Sequence, residues 1–204
     1  FKNCDALTSI KIPKSLGLTN TFGIGPFNSC DNLKNVNFEK GIAKIPSFLF
    51  EYCTGLEEIT IPDTVTSIGS YTFGKCDNLQ IVEIPDSVTS IESYTFWNCS
   101  RLQTIKIPDS VTSIGQYAFS ECTKLSNVTL PGNLQVLGTS AFKNCDALTS
   151  IEIPKSLGST NTFGIGSFDS CDNLKNVSFE KGITKIPSFL FEYCTGLEEI
   201  TIPD

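Results

Sequence analysis

The sequence predicts a repeat solenoid: a pile of short parallel β-strands joined by turns and short helical or 3-10 segments, running as one unit over residues 1–204. Two observations carry this. The pattern Phe-x-x-Cys-x-x-Leu-x-x-aliphatic-x-apolar starts at Phe1, Phe27, Phe50, Phe73, Phe96, Phe119, Phe142, Phe168 and Phe191, with a 23-residue period that lengthens to 26 in two copies. Residues 1–63 then recur as 142–204, differing only at Lys11/Glu152, Leu18/Ser159, Pro26/Ser167, Asn28/Asp169, Asn37/Ser178 and Ala43/Thr184. Six repeats therefore form a superunit that has been duplicated. The array is expected to continue beyond both ends, because terminal repeats normally carry polar caps and neither end here is atypical.

Within one repeat each element has a local cause. From Phe96, Leu102 marks a turn that leads into a strand whose Ile105 and Ile107 share the inward face by the two-residue pleat. Pro108 stops the strand, because it offers no backbone donor. Asp109-Ser110 supplies turn chemistry, Val111 to Ile114 reads as a second extended piece, and Gly115 permits the bend that follows. Ala118, Phe119 and Cys99 close the coil. The residue after each cysteine is Asp, Thr or Ser, which predicts a tight turn held by a local side-chain hydrogen bond. The two longer copies, through Leu16 to Gly25 and Leu157 to Gly166, are expected to bulge on their glycines without breaking the stack.

No coil of 23 residues buries these apolar positions alone, so stability comes from neighbours that set Phe on Phe and Ile on Ile. At a strand spacing of about 4.8 Å, nine coils make a rod or arc on the order of 40 Å long.

Composition narrows the function. With 15 Lys+Arg against 22 Asp+Glu the formal charge is −7, which opposes phosphate backbones and anionic membranes, so nucleic acid is not an expected partner. No apolar run approaches the roughly 18–20 residues that cross a bilayer, so this segment is not expected to insert into a membrane.

The phrase Ile-Pro-Asp-Ser-Val-Thr-Ser-Ile at Ile84 to Ile91 and Ile107 to Ile114, with Tyr117-Ala118-Phe119-Ser120-Glu121-Cys122 after it, resembles the BspA-type leucine-rich repeat. The match covers essentially the whole chain and specifies fold, because it describes core positions. That resemblance implies a surface or secreted protein of bacteria or parasitic protists, often linked to adhesion. Pro stands where most strands end and the following Asn is missing, so the vertebrate-type repeat of innate-immune receptors is not the one implied.

The residues that bear chemistry favour binding over catalysis. Nine cysteines, Cys4, Cys30, Cys53, Cys76, Cys99, Cys122, Cys145, Cys171 and Cys194, fall at one phase of the repeat and read as a buried ladder. Their odd number and parallel directions argue against pairing, and no Cys-x-x-Cys offers a zinc site. There is no His, and Glu57-Glu58 and Glu198-Glu199 are strand neighbours that point to opposite faces. No enzyme activity, cofactor or metal is expected. Asp63, Asp86 and Asp109 form a row after the repeated Pro, better read as solvated turn residues than as a cation site.

Two surfaces remain. The outward strand positions Glu58 and Thr60, Ile81 and Glu83, Thr104 and Lys106, Asn127 and Thr129, and Ser150 and Glu152 form a mostly polar face with Ile81 as its apolar exception. The alternative for any one of these positions is solubilising filler. Phe48, Tyr71, Tyr94 and Tyr117 share a phase two residues before the repeated Phe, with Trp97 alongside; the set either packs over the core or forms an exposed stripe for a protein or sugar. Asn98-Cys99-Ser100, Asn127-Val128-Thr129 and Asn176-Val177-Ser178 match the glycosylation triplet, which matters only in a secreting eukaryote. The expected role is adhesion or protein binding, to a host or matrix protein, at the cell surface or outside the cell. The alternatives are a passive spacer and, third, a glycan-binding module.

Overall fold

A computed structural model describes residues 1–18, 25–158 and 163–203. The chain winds into a parallel β-solenoid of about eight turns with a period near 23 residues. Its strands in chain order are β1 (Ser9–Ile12), β2 (Asn35–Phe38), β3 (Lys44–Ile45), β4 (Glu58–Thr60), β5 (Ser67–Ile68), β6 (Ile81–Glu83), β7 (Ser90–Ile91), β8 (Thr104–Lys106), β9 (Ser113–Ile114), β10 (Asn127–Thr129), β11 (Val136–Leu137), β12 (Ser150–Ile153), β13 (Asn176–Phe179) and β14 (Glu199–Thr201). Every strand pair is parallel and steps from one coil to the next.

The coil has three walls. The first carries the wider strands, paired as β1-β2, as β4-β6-β8-β10 and as β12-β13-β14. The second is the narrow sheet β3-β5-β7-β9-β11, extended by a bridge from Leu137 to Phe163. The third was not foreseen: at the corner that holds the repeated Phe, alternate amides reach the next coil, as where Tyr94, Phe96 and Asn98 N–H donate to Gln116, Ala118 and Ser120 carbonyls at 2.8–2.9 Å. The same triplet recurs from Phe48 through Asn144, so this wall is a hydrogen-bonded ladder without being a regular sheet.

That corner turns through left-handed backbone. The residue before each cysteine has positive φ, from Asn3 (58°) through Tyr193 (56°), and so do Phe48, Tyr71, Tyr94, Tyr117, Ser140 and Phe189 two residues before the Phe. Bulky residues there cost of order 1 kcal/mol or more each, a cost the inter-coil bonds and ring stacking must exceed. In the longer repeat Gly166 takes the same role at φ 60°, and Gly164 lies so close to the previous coil that a Cβ would stand 1.8 Å from Thr139 N.

One apolar core runs from Ile12 to Leu190, and its axis is a column of rings. Phe1, Phe27, Phe50, Phe73, Phe96, Phe119, Phe142, Phe168 and Phe191 stack with centroids 5.0–6.0 Å apart.

Some local expectations change. The second extended piece shortens to two residues, Ser113–Ile114. The residues after the cysteines tie coils together where a local turn bond was expected: Ser100 and Thr123 hydroxyls each donate to the preceding coil, at Asp77 O and Ser100 O, both at 3.4 Å. The longer repeats begin as a turn of 3-10 helix at Lys14–Leu18 and as a one-turn helix, α1 (Lys155–Gly158). Their expected bulges at 19–24 and 159–162 lie outside the described residues. Among the described residues the first wall is three sheets, with no ladder between β2 and β4 or between β10 and β12. Both gaps fall where a four-residue strand meets a three-residue one.

Candidate functional site

The pleat of the first wall decides which side chains are free. Ile59, Val82 and Ile105 point into the core, each at 5% exposure or less, and so their neighbours point out. Glu58, Thr60, Ile81, Glu83, Thr104, Lys106, Asn127, Thr129, Ser150 and Glu152 are all exposed, as the sequence reading placed them. Ile81 is 56% exposed, the one large apolar side chain on β4 to β10 that faces solvent. In register, Glu58 stands beside Ile81, Thr60 beside Glu83, Glu83 beside Lys106, and Thr104 beside Asn127. Opposite charges therefore adjoin at Glu83 and Lys106, with acid toward β4 and a cation toward β8. Farther along, a depression of about 260 Å³ lies over Ser150, Glu152, Asn176, Ser178 and Glu199.

The aromatic residues form a second column. Phe48, Tyr71, Tyr94 and Tyr117 stack with centroids 4.9, 4.4 and 4.9 Å apart and planes within 15°. Trp97 meets Tyr71 and Tyr94 edge-on at 6.4 and 6.2 Å. All four are half-buried, and each interior ring has its two faces covered by its neighbours. What reaches solvent is ring edge and hydroxyl, whereas sugars stack on ring faces. The Tyr71 hydroxyl is pushed above its ordinary range by burial and then by Tyr94 beside it. Lys75 Nζ sits 4.9 Å from the Trp97 ring centre and 5.7 Å from that of Tyr52, and so lies over both rings beside this column.

The cysteines form the ladder the sequence indicated, with a hydrogen-bonding role it did not. All nine are free thiols. From Cys30 to Cys194, each Sγ donates to the carbonyl of the Phe opening the preceding coil, at 3.0–3.3 Å. The residue must be small, apolar and a weak donor, which describes cysteine. Burial raises the Cys53 and Cys122 thiols to about 12.

Several polar anchors were missed. Thr72 and Thr95 are buried, their hydroxyls 2.7 Å from Gly69 O and 2.8 Å from Glu92 O respectively, with Pro46 O and Gly69 O in the coil before at 3.0 and 3.3 Å. Ser87 and Ser110 donate across coils to Val65 O and Val88 O at 2.6 and 2.7 Å. The signal was partial: Thr recurs at Thr72 and Thr95 and Ser at Ser87 and Ser110, while the equivalent positions hold Leu49, Ala118 and Ala141, and Gly41, Thr64 and Asn133. Glu39 and Glu180 accept from the Lys14 and Lys155 backbone N–H groups at 2.9 and 3.0 Å and so cap the helical turns. The clue was that Phe-Glu-Lys-Gly replaces Ile-Pro-Asp-Ser in those two repeats. The Lys155 amide holds the Glu180 carboxyl below its ordinary range. Asp169, 8% exposed, pairs with Lys143 at 2.5 Å, whereas its twin Asn28 donates to Glu51 at 2.8 Å. Asp63, Asp86 and Asp109 stand exposed, and among the described residues no group of three or more His, Cys, Asp or Glu is placed to hold a metal ion. Of the glycosylation triplets, Asn127 and Asn176 are exposed on the first wall and Asn98 is half-buried. Among the described residues no helix is long and apolar enough to cross a membrane.

A pile of coils with one variable polar wall is the architecture of the leucine-rich-repeat class. The model of the BspA type leucine-rich repeat region, which spans six copies of the repeat, matches residues 1–103 and 89–204, and the chain belongs to that family. No curated protein matches the sequence. Among solved structures it is similar to a leucine-rich repeat protein from Bacteroides ovatus, at 26% identity and a TM-score of 0.62, over 100% of this chain and 62% of that one. It is similar to the leucine-rich repeat protein of T. pallidum, at 26% identity and a TM-score of 0.66, over 93% and 83%. The pneumococcal vaccine antigen PcpA shares the fold at 20% identity and a TM-score of 0.53, over 96% and 56%. The chain thus spans less than two thirds of the Bacteroides ovatus protein.

Proposed function

We propose that this chain is a surface-displayed or secreted binding array whose first wall docks another protein, a host or matrix component. One observation carries the reading: side chains inside the coil repeat almost without change, while the outward residues of β4, β6, β8, β10 and β12 differ from coil to coil and lie uncovered. A wall that served only as cover would not need a patch that runs from Glu58 through exposed Ile81 to Glu83 and Lys106. Membership of the BspA-type family supports display at or beyond the cell surface. The reading assigns no catalysis to the chain.

The test is a binding screen against immobilised matrix and serum proteins, by surface plasmon resonance, with the native chain and the triple variant E58K/E83K/K106E. The expected result is a retained partner whose affinity falls at least roughly tenfold in the variant, because reversed charges now oppose their counterparts. Equal binding by both would remove the first wall from the reading.

A second reading, a passive spacer, is favoured by the near-identity of 1–63 and 142–204, since a spacer selects for length over individual residues. The stripe of Tyr71, Tyr94, Tyr117 and Trp97 supports a glycan site less well, because its ring faces are spent on one another.

A further inference from the structure

Gln80, Arg101, Gln103, Lys124 and Ser126 line an open groove of about 480 Å³ along the edge of the first wall where β6, β8 and β10 begin. Two features set it apart. The flanking strand pairs β4-β6 and β8-β10 are in register at three residues each, but β6 and β8 pair only at Glu83 and Lys106. Backbone bonds from Gln80 N to Glu57 O and from Ser126 N to Gln103 O close the coils on either side, at 2.8 and 3.0 Å. Among the described residues no such bond joins Gln103 to Gln80, so the hydrogen-bond ladder is interrupted under the groove.

The second feature is charge. Arg101 and Lys124 are exposed on successive coils, and the ion pairs among the described residues are made by Lys143, Lys155 and Lys175 instead. Together Arg101 and Lys124 make a local cationic spot in a chain of formal charge −7. Long polyanions meet the acidic surface beyond the spot, whereas a short acidic segment meets mainly the spot, because salt screens charges farther away than about 8–10 Å. One coil step of about 4.8 Å separates the two cations, compared with roughly 6.6–6.8 Å between alternate side chains of an extended peptide, a gap that two long flexible side chains can span.

We infer that this groove binds a short, extended acidic peptide segment of a partner protein. Arg101 and Lys124 take its carboxylates, Gln80 and Gln103 its amides, and Ile81 at the rim an apolar side chain. The inference rests on the protein-binding reading above and names the chemistry of the partner at one end of the same wall.

The test uses a fluorescein-labelled decapeptide of alternating Asp and Val, its Asn-Val counterpart, and a labelled oligogalacturonate of similar charge, each titrated by anisotropy into the native chain, R101E/K124E and E58K/E83K/K106E. Unchanged thermal melts check that the variants fold. The expected result is binding of the Asp-Val peptide alone, weakened at least tenfold in R101E/K124E and progressively by salt. Three results overturn it: no peptide binding, equal peptide binding by R101E/K124E, or groove-dependent binding of the oligogalacturonate in place of the peptide. Should R101E/K124E bind the peptide normally while E58K/E83K/K106E loses a protein partner, the groove fails and the wider reading stands. The opposite pattern keeps the groove and removes the acidic half of the wall.

Discussion

Replacing Phe96 by Ala tests whether ring stacking along the axis holds the coils together. Phe96 is fully buried, with Phe73 at 5.4 Å on one side and Phe119 at 5.3 Å on the other. Truncating a buried Phe costs about 3–5 kcal/mol, the lost transfer energy plus the cavity. The two stacks, each worth roughly 0.5–1.5 kcal/mol beyond area, place this site in the upper half of that range. Phe1, 77% exposed and stacked on one side only, should cost under about 1 kcal/mol in the same substitution. The assay is urea unfolding followed by far-ultraviolet circular dichroism and by the fluorescence of Trp97, the only tryptophan, which adjoins Phe96. Each coil leans chiefly on its neighbours, so F96A should also separate the two signals, with Trp97 melting before the bulk ellipticity. Equal losses for F96A and F1A would refute the stacking argument.

Other outcomes follow from the same geometry. In the native state a thiol reagent at pH 8 should leave Cys53 and Cys122 unmodified, because burial keeps them near 12, and should react first with half-exposed Cys4 and Cys194; mass spectrometry after a short pulse reads this. Glu180 is held below its unfolded range, so its cap is fully present at neutral pH and is lost as pH falls through the depressed folded value; the protection factors of the Lys155–Gly158 amides, which remove the intrinsic pH dependence of exchange, should fall on acidification, and E180Q should show that low protection already at pH 7. D169N, which installs the residue of the first copy, leaves Lys143 without its partner and should cost about 1–2 kcal/mol by chemical denaturation, little affected by salt. G164A should be among the costliest glycine changes, since the new methyl would meet Thr139 N, and its expression yield or melting point should fall accordingly.

The periodicity of Phe, Cys, Leu and Ile was enough to place every coil and to say which strand residues face outward, because burial in a pile of equal turns leaves one inward phase. The corner wall could not be read. Its left-handed Tyr94 and Tyr117 defy the local preference of tyrosine, and only contacts with adjoining coils, invisible in a single repeat, keep them there. The inter-coil hydroxyls of Ser87 and Thr72 were hidden for the same reason: other coils hold other residues at their positions, and the carbonyl that receives each lies in a neighbouring coil. On the candidate face, exposure was legible and the interrupted ladder between β6 and β8 was not, since it depends on how two neighbouring strand pairs settle rather than on any residue type.

The file of thiols has a consequence for how such a chain grows. In a scaffold stapled by disulfides, every added module multiplies the ways sulfurs can mispair, and eight cysteines already allow 105 connectivities. Here each sulfur answers to a carbonyl supplied by the module before it, as Cys99 does to Phe73. Copying a block therefore brings a complete set of donors and acceptors and creates no sorting problem, so lengthening by duplication is chemically cheap and needs no oxidising folding environment.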